Sequence, residues 1–390
     1  METQATVVVP GEGQEWTVYW ATQWPMLVHC LAANLLGVNM DTVVVKTKRL
    51  GGAFGGKGAQ SVFVVGPAVV AAAKFRRAVS VQLSRKEDIT GTGKRHPAHL
   101  QYQVSFTKEG LLLGLDATVH VNSGNTDTNA SVVGRIASRL DSVYRIPSAH
   151  AIGRCCQTNL PSNAAFRGYG HPQAIFFAEC IVERVAAHLG QDPDELREGN
   201  VAAGGGSWRA LNGDLIVNEN YWRCYERCKA ISDFHRRKLQ ARRFNEEHAY
   251  RKRGIAIMGT RFSQPHGMPM GQGIALVTLY TDGSVGLTIG GTEMGQGLNT
   301  KCIQIASRAL GVPRDAITIL DQSTEKAPNA ASTAGSQGSD THGLATKDAC
   351  DILSERLAPF KKANPRGAFR DWVQAAFRKG VGLSATATSV

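Results

Sequence analysis

Short apolar runs broken by turn signals alternate along this chain with longer runs at helical spacing. Residues 1–23 (METQATVVVPGEGQEWTVYWATQ) carry two apolar runs around a glycine-rich turn and predict strands. Further strands are predicted at 41–48, 78–83, 100–106, 112–121, 152–156, 255–262, 274–280 and 285–289, where β-branched and alternating apolar residues dominate. Helices are predicted at 25–36, 62–75, 172–190, 231–250, 298–310 and 342–357. The run 62–75 (VFVVGPAVVAAAKF) is shorter than the roughly 20 residues of a membrane span and contains Pro67, so it predicts a buried helix. Strands and helices mix without strict alternation, which predicts an α+β fold with mixed sheets in two units. The composition places a first unit at 1–205, a linker and helical segment at 206–252, and a second unit at 253–390. GGGSW at 204–208 is the most linker-like stretch.

A hydrophobic share of 43% over 390 residues supports large cores and excludes a disordered or fibrous chain. The net charge of +12 would attract anionic partners, but the basic residues concentrate in 235–253 (HRRKLQARRFNEEHAYRKR). That stretch predicts a helix with a solvated charged face and with Leu239, Phe244 and Tyr250 turned inward. No stacking aromatics interleave with the basic residues, and no DNA-binding motif spacing is present, so neither nucleic acid nor a membrane is an expected partner. Eight scattered cysteines suit a reducing compartment, with the cytoplasm expected and the peroxisome as the alternative. None has C-x-x-C spacing, so the segment has no recognisable zinc or iron–sulfur site.

The chemistry-bearing signal is four glycine- or serine-rich loops that run into helices. They are GGAFGGKG at 51–58, PSNAAFRGYGHP at 161–172, GGTEMGQGLNTK at 290–301 and PNAASTAGSQGSDTHG at 328–343. Glycines let backbone approach a ligand, and a helix start presents N–H groups to an anion, so the set points to a large, polar, phosphate-bearing cofactor held mainly by backbone. The first loop meets the G-x-x-x-x-G-K spacing of a nucleotide-binding loop, but Gly58 stands where that motif needs a hydroxyl for magnesium. Gly295 and Gly297 form only a fragment of a dinucleotide fingerprint.

GGAFGGK, TNLPSNAAFRGYGHPQ, YTDGSVGLTIGGTEMGQGLNTK and PNAASTAGSQGSD resemble the signature segments of xanthine dehydrogenases and aldehyde oxidases, the molybdenum hydroxylases, in order and spacing. The likeness extends through KRHPAHLQYQVSF and LAPFKKANPRGAFRDWVQAAF. It implies a molybdenum–molybdopterin cofactor that oxidises aldehydes or N-heterocycles, with water-derived oxygen inserted and hydride passed to the molybdenum centre. By resemblance, the iron–sulfur (2Fe–2S) and FAD domains lie outside this segment, the full enzyme is a homodimer, and the general-base glutamate lies beyond Val390, so the segment alone is expected to be inactive. A pterin-binding or dimerising module without catalysis is the alternative.

The resemblance also assigns residues. Gln23, Phe54, Arg167 and Gly335 match positions around the molybdenum, and Gln296 matches a pterin contact. Arg135 matches an arginine that stabilises charge building on a heterocycle during attack, a task suited to a guanidinium because it stays ionised and forks its donors. Gly58 replaces a purine-binding glutamate, and Tyr169 replaces one of two sandwiching phenylalanines. His266 and Gly267 stand at the second phenylalanine and at a substrate-facing threonine. These departures favour a roomier, aldehyde-oxidase-like pocket, while Arg135 favours heterocycles.

Overall fold

A computed structural model describes residues 1–126, 131–201, 206–217, 219–262 and 271–389. Its elements fall into three consecutive stretches, each built on a sheet of three or four strands, with a further two-stranded sheet in the second.

In the first stretch, β1 (Ala5–Pro10) and β2 (Trp16–Trp20) form an antiparallel hairpin. Helix α1 (Pro25–Leu36) then returns the chain to β3 (Val43–Lys46), parallel to β2. Helix α2 (Val62–Phe75) leads to β4 (Val79–Gln82), antiparallel to β1, and α3 (Arg85–Gly91) closes the stretch. Proline at its first position starts α1 and Gly37 in the left-handed region stops it. Both longer helices lay small and β-branched residues on the sheet, with Val28, Ala32, Val65, Ala68 and Val69 fully buried against Val8, Val18 and Val45.

The second stretch holds β5 (Ala98–Phe106), β6 (Leu112–Gly124), α4 (Ser131–Ala137) and β7 (Ser148–Gln157), with β6 in the middle of the sheet. Helices α5 (His171–Leu189) and α6 (Pro193–Asn200) follow, and residues of α4, α5 and α6 share one core with the sheet. A small hairpin, β8 (Ser207–Arg209) with β9 (Leu215–Val217), precedes α7 (Glu219–Ile231) and α8 (Phe234–Glu247).

The third stretch repeats the plan of the first. Strands β10 (Gly273–Leu279) and β11 (Val285–Ile289) form a hairpin, and α9 (Leu298–Leu310) leads to β12 (Ile317–Ile319), parallel to β11. Helices α10 (Gly338–Ala363) and α11 (Phe369–Arg378) lead to β13 (Ser384–Ser389), antiparallel to β10. The sheet orders β3-β2-β1-β4 and β12-β11-β10-β13 are therefore the same connection written twice. Leu353 of α10 is fully buried in the third core, where truncation to alanine would cost about 2–5 kcal/mol.

Contacts group the chain into two compact units. Unit one is Met1–Lys94, Ala164–Phe166 and Gln264–Val390, and unit two is Arg95–Asn163 with Arg167–Ser263. The divisions expected from composition, 1–205, 206–252 and 253–390, are linear, whereas these units are not. The two repeats fold together in unit one because β3 continues into a backbone pairing with the segment after β12. There Lys46 bridges Ser323, Thr47 N–H donates to the Gln322 carbonyl and Thr324 N–H to the Val45 carbonyl.

Several local expectations change. The strand expected at 255–262 is irregular: Ile257 is buried beside Tyr225 and Phe234, so its apolar side chains find a core without joining a sheet. The helix expected at 231–250 is instead α7 and α8, broken by Asp233 in the left-handed region. Leu239 and Tyr250 are exposed, and Phe244 stacks on His248 at 3.9 Å with the Arg253 guanidinium 3.8 Å from its ring. In GGGSW, residues 204 and 205 lie outside the described residues, and Trp208 is buried in β8. The basic surface of α8 is partly neutralised within the fold, because Lys238 bonds Asp192 and Asp194 and Arg242 bonds Asp192. All eight cysteines are free thiols. Among the described residues no helix is long and apolar enough to cross a membrane.

Candidate functional site

Because β2 runs parallel to β3 and β11 parallel to β12, four connections leave strands pointing the same way within each repeat. These are the residues after β2, which include Gln23, the loop 51–58 after β3, the loop 290–297 after β11 and the segment 320–337 after β12. The crossover thus gathers glycine loops at the carboxyl ends of strands, where open α/β sheets also place their ligands.

Gln23 is the clasp. It is buried; its Oε1 accepts the Gly55 N–H at 2.8 Å, and its Nε2 donates to the Thr333 carbonyl at 2.8 Å. Its backbone also pairs twice, donating to the Lys57 carbonyl and accepting from Thr333 N–H, each at 2.8 Å. Only one orientation of the amide satisfies an N–H and a C=O together, and it leaves one Nε2 hydrogen to donate. Thr333 extends the clasp, since its hydroxyl accepts Thr292 N–H at 2.8 Å. Leu50 N–H donates to the Glu293 carbonyl at 2.9 Å, tying the loop 51–58 to the loop 290–297.

Gly55 needs to be glycine. Its φ is +98°, and a Cβ there would sit 2.5 Å from the Ala165 carbonyl oxygen, so the loop 161–172 also reaches this place through residues 164–166. Phe54 has φ +54° and an exposed side chain, and Gly58 lies at φ −79° and ψ −118°, outside both the helical and the strand regions. Lys57 is almost fully buried and pairs with Glu2 at 2.7 Å. Burial pushes its ammonium below the ordinary lysine value against the pull of Glu2. This lysine anchors the loop, so the nucleotide-loop spacing carries no phosphate-binding lysine here.

Glu293 orders the loop 290–297. Its Oε1 accepts from Gly295 N–H at 2.8 Å and Gly297 N–H at 3.0 Å, and its Oε2 accepts from Asn299 N–H at 3.0 Å. Burial raises its carboxyl pKa, but these backbone donors outweigh that and hold it below the usual value. The start of α9 is therefore capped from within rather than left for an anion. Gln296 turns back on the same loop, accepting from Met294 N–H and donating to the Thr292 carbonyl. Gly335 is exposed at φ +63°, beside the start of α10, where Lys301 Nζ lies 2.9 Å from Ser339 Oγ. That long helix start with an ammonium beside it suits a phosphate. Beneath the loop, the buried His342 ring fills the space a Cβ on Gly291 would need, 2.6 Å from His342 Cδ2. Burial pushes the His342 pKa down to about 4, so the ring is neutral and its Nδ1 accepts the Ile274 N–H at 3.2 Å.

Unit two carries the remaining assigned residues. Arg135 lies in the last turn of α4, half-buried, with no hydrogen bond or ion pair among the described residues. Tyr169, at φ +43°, bonds Ser131 Oγ through its hydroxyl at 2.5 Å and rests its ring on the unit-two core. Arg167 is exposed, and its carbonyl accepts from Arg95 at 2.7 Å. His266 and Gly267 lie outside the described residues. Gln23, Phe54, Gly58, Gln296 and Gly335 thus share unit one, while Arg135, Arg167 and Tyr169 belong to unit two. Thr333, Thr292 and Ala165 were not singled out in the sequence. They act mostly through backbone atoms, which leaves no residue-type signal beyond their place in the glycine- and serine-rich loops.

The site fits a bulky cofactor on one structural test: the loops approach through backbone at glycines and left-handed residues, and no Cβ contact lies within 4 Å of Gly295 or Gly297, so open space remains beside them.

Family models of the molybdopterin cofactor-binding domain match residues 1–201 and 227–389. The chain is 43% identical to the xanthine dehydrogenase/oxidase of Felis catus over 99% of its length, and 41% identical to the xanthine dehydrogenase of Dictyostelium discoideum over 99%. It spans only 29% and 28% of those relatives. Among solved structures, a Cu,Mo-CO dehydrogenase aligns over 100% of this chain and 54% of its own, with TM-score 0.83 and 21% identity. The aldehyde oxidoreductase of Desulfovibrio gigas aligns over 99% of this chain and 42% of its own, with TM-score 0.77 and 22% identity. At those identities the likeness concerns the fold.

Proposed function

This chain belongs to the molybdopterin cofactor-binding family of the xanthine dehydrogenases and related molybdenum hydroxylases, and from that premise we propose that it forms the cofactor-holding part of an enzyme that hydroxylates aldehydes or N-heterocycles. The clasp of Gln23 on Gly55 and Thr333 carries this reading, because it fixes three glycine loops around one buried amide that still has a hydrogen to donate. When bound, the molybdenum cofactor supplies oxygen-transfer and two-electron chemistry that no side chain here carries. Gln23 would present its remaining N–H to an oxo ligand, the backbone at Phe54 would lie beside the metal, and Gln296 and Gly335 would border the pterin. Arg167 is the corresponding position in unit two.

Arg135 is the proposed charge-stabilising residue. A half-buried guanidinium without a hydrogen-bond or ion-pair partner among the described residues keeps its donors for a substrate carbonyl or ring nitrogen that gains negative charge. Tyr169 offers a ring face, with its hydroxyl held by Ser131. Gly58 contributes no carboxylate, which favours substrates other than xanthine, and His266 and Gly267 stay in the proposed pocket on resemblance alone. FAD and 2Fe–2S clusters are expected in the part of the relatives' length that this chain does not span. Cysteines without disulfides suit a reducing compartment such as the cytoplasm, and the homodimer is carried over from the resemblance alone.

The test is metal analysis of the purified chain, followed by turnover of aldehydes and purines with an artificial electron acceptor, in this chain and in the longest transcript product that contains it. Stoichiometric molybdenum with aldehyde or heterocycle oxidation in the longer product supports the reading. Molybdenum without turnover in either would make the chain a pterin-binding module, and no molybdenum in either would overturn the proposal.

A further inference from the structure

Unit two contains a cavity of about 470 Å³ that involves none of the residues assigned above. Small-molecule sites run from about 300 to 1,000 Å³, so the space suits one compact ligand. One face of α7 supplies Tyr221, Cys224, Tyr225 and Cys228, spaced i, i+3, i+4 and i+7 so that all four share a stripe. Opposite elements supply Trp208 from β8 and Arg261 from the irregular segment after α8. The two tyrosine rings are close to parallel, with centroids 5.7 Å apart and planes at 14°.

The polar groups of this wall are asymmetric. Trp208 is 9% exposed and its Nε1 is buried without a hydrogen-bond partner. Arg261 spends Nη2 on Asp141 at 2.7 Å, while its Nη1 is also buried without a partner. Both orphans are donors, and no side-chain acceptor of the lining residues is orphaned. The Tyr225 hydroxyl is already spent on Glu198 at 3.1 Å. A ligand that completes the wall therefore brings acceptors and no obligatory donors, on a flat apolar body. Of the two orphan donors the Arg261 guanidinium is charged, so an anionic acceptor gains a charge-assisted bond that a neutral one does not.

We propose that this cavity binds a small aromatic carboxylate, its ring against the tyrosine stripe and its carboxylate on the Trp208 indole N–H and the Arg261 guanidinium. The site is separate from the cofactor reading and requires no molybdenum. Cys224 and Cys228, exposed on the stripe, report on its occupancy.

The experiment titrates the chain with 2-naphthoate and with neutral 2-naphthamide by calorimetry. In parallel, iodoacetamide labelling of each cysteine is followed by peptide mass spectrometry. The expected result is saturable naphthoate binding, at least about tenfold weaker amide binding, and at least about tenfold slower labelling of Cys224 and Cys228 with Cys30 and Cys155 unaffected. Trp208→Phe, which keeps a ring and removes the N–H, should weaken naphthoate about tenfold. Cys228→Phe should fill the cavity and abolish binding with an unchanged circular dichroism spectrum. Absence of saturable binding, equal binding of the amide, or unprotected Cys224 and Cys228 would overturn the proposal. These wild-type comparisons decide it even if a variant fails to fold.

Discussion

The loop-holding residues of unit one and Arg135 of unit two are partnered in opposite ways. In unit one, Gln23, Thr333, Glu293 and Lys57 are each committed to a backbone or ion-pair partner, and the glycine loops are held almost wholly by main chain. In unit two, Arg135 has no such commitment among the described residues. On the proposed function, this difference would separate a scaffold from a working surface: groups that hold a cofactor's shape are satisfied before it binds, and a group that meets changing substrate charge keeps its donors in reserve. Substitutions of the loop-holding residues of unit one should therefore damage stability and metal content, while substitution of Arg135 should damage turnover alone.

The largest effect is expected from Gly55→Ala. A Cβ at φ +98° and 2.5 Å from the Ala165 oxygen should cost at least about 3 kcal/mol and lower molybdenum content more than tenfold, as read by thermal melts and metal analysis. Gln23→Leu comes next. It leaves the half-buried Gly55 N–H and the buried Thr333 carbonyl without partners, for a loss of about 2–4 kcal/mol, and normal molybdenum loading in this variant would break the clasp argument.

His342 gives unit one a pH dependence. Its folded pKa of about 4 lies below the ordinary 6.5, so the unfolded chain takes up the proton first as pH falls. The stability from its neutral ring is complete above about pH 6.5 and is lost progressively toward pH 4, by up to about 3 kcal/mol. Denaturant melts across that window should lose this slope in His342→Gln.

In the full enzyme, Arg135→Met should lower kcat/KM for N-heterocycles about a hundredfold with molybdenum content and melting temperature unchanged. A drop in metal content would place Arg135 with the scaffold instead. The smallest effect is expected from Gly58→Glu, because the one close approach of its Cβ, the Gly55 oxygen at 3.3 Å, is relieved by a shift of a few tenths of an ångström. It should shift the ratio of purine to aldehyde turnover about tenfold toward purines. An unchanged ratio would remove Gly58 from the substrate pocket.

The elements with strong periodicity were legible in the chain: α1, α2, β11 and α9 have the predicted limits. Strand β13 was not, because SATATS has no large apolar residue and becomes a strand only by pairing with β10. Helix α11 was also missed, although Val373 and Ala376 bury a clear face. The irregular segment 255–262 shows the converse error, since burial without a neighbouring strand gives an apolar pattern and no sheet.

By itself the sequence determined the family, the four glycine loops and the residue types available for chemistry, because loops that approach a ligand through backbone demand glycine and that demand is written locally. Tertiary structure alone decided that the first and third stretches repeat one connection, that Gln23 closes on Thr333 from 310 residues away, and that the assigned residues divide between two units. Those facts rest on main-chain hydrogen bonds and chain crossings, which almost any residue can make, and so they leave no mark in the order of the amino acids.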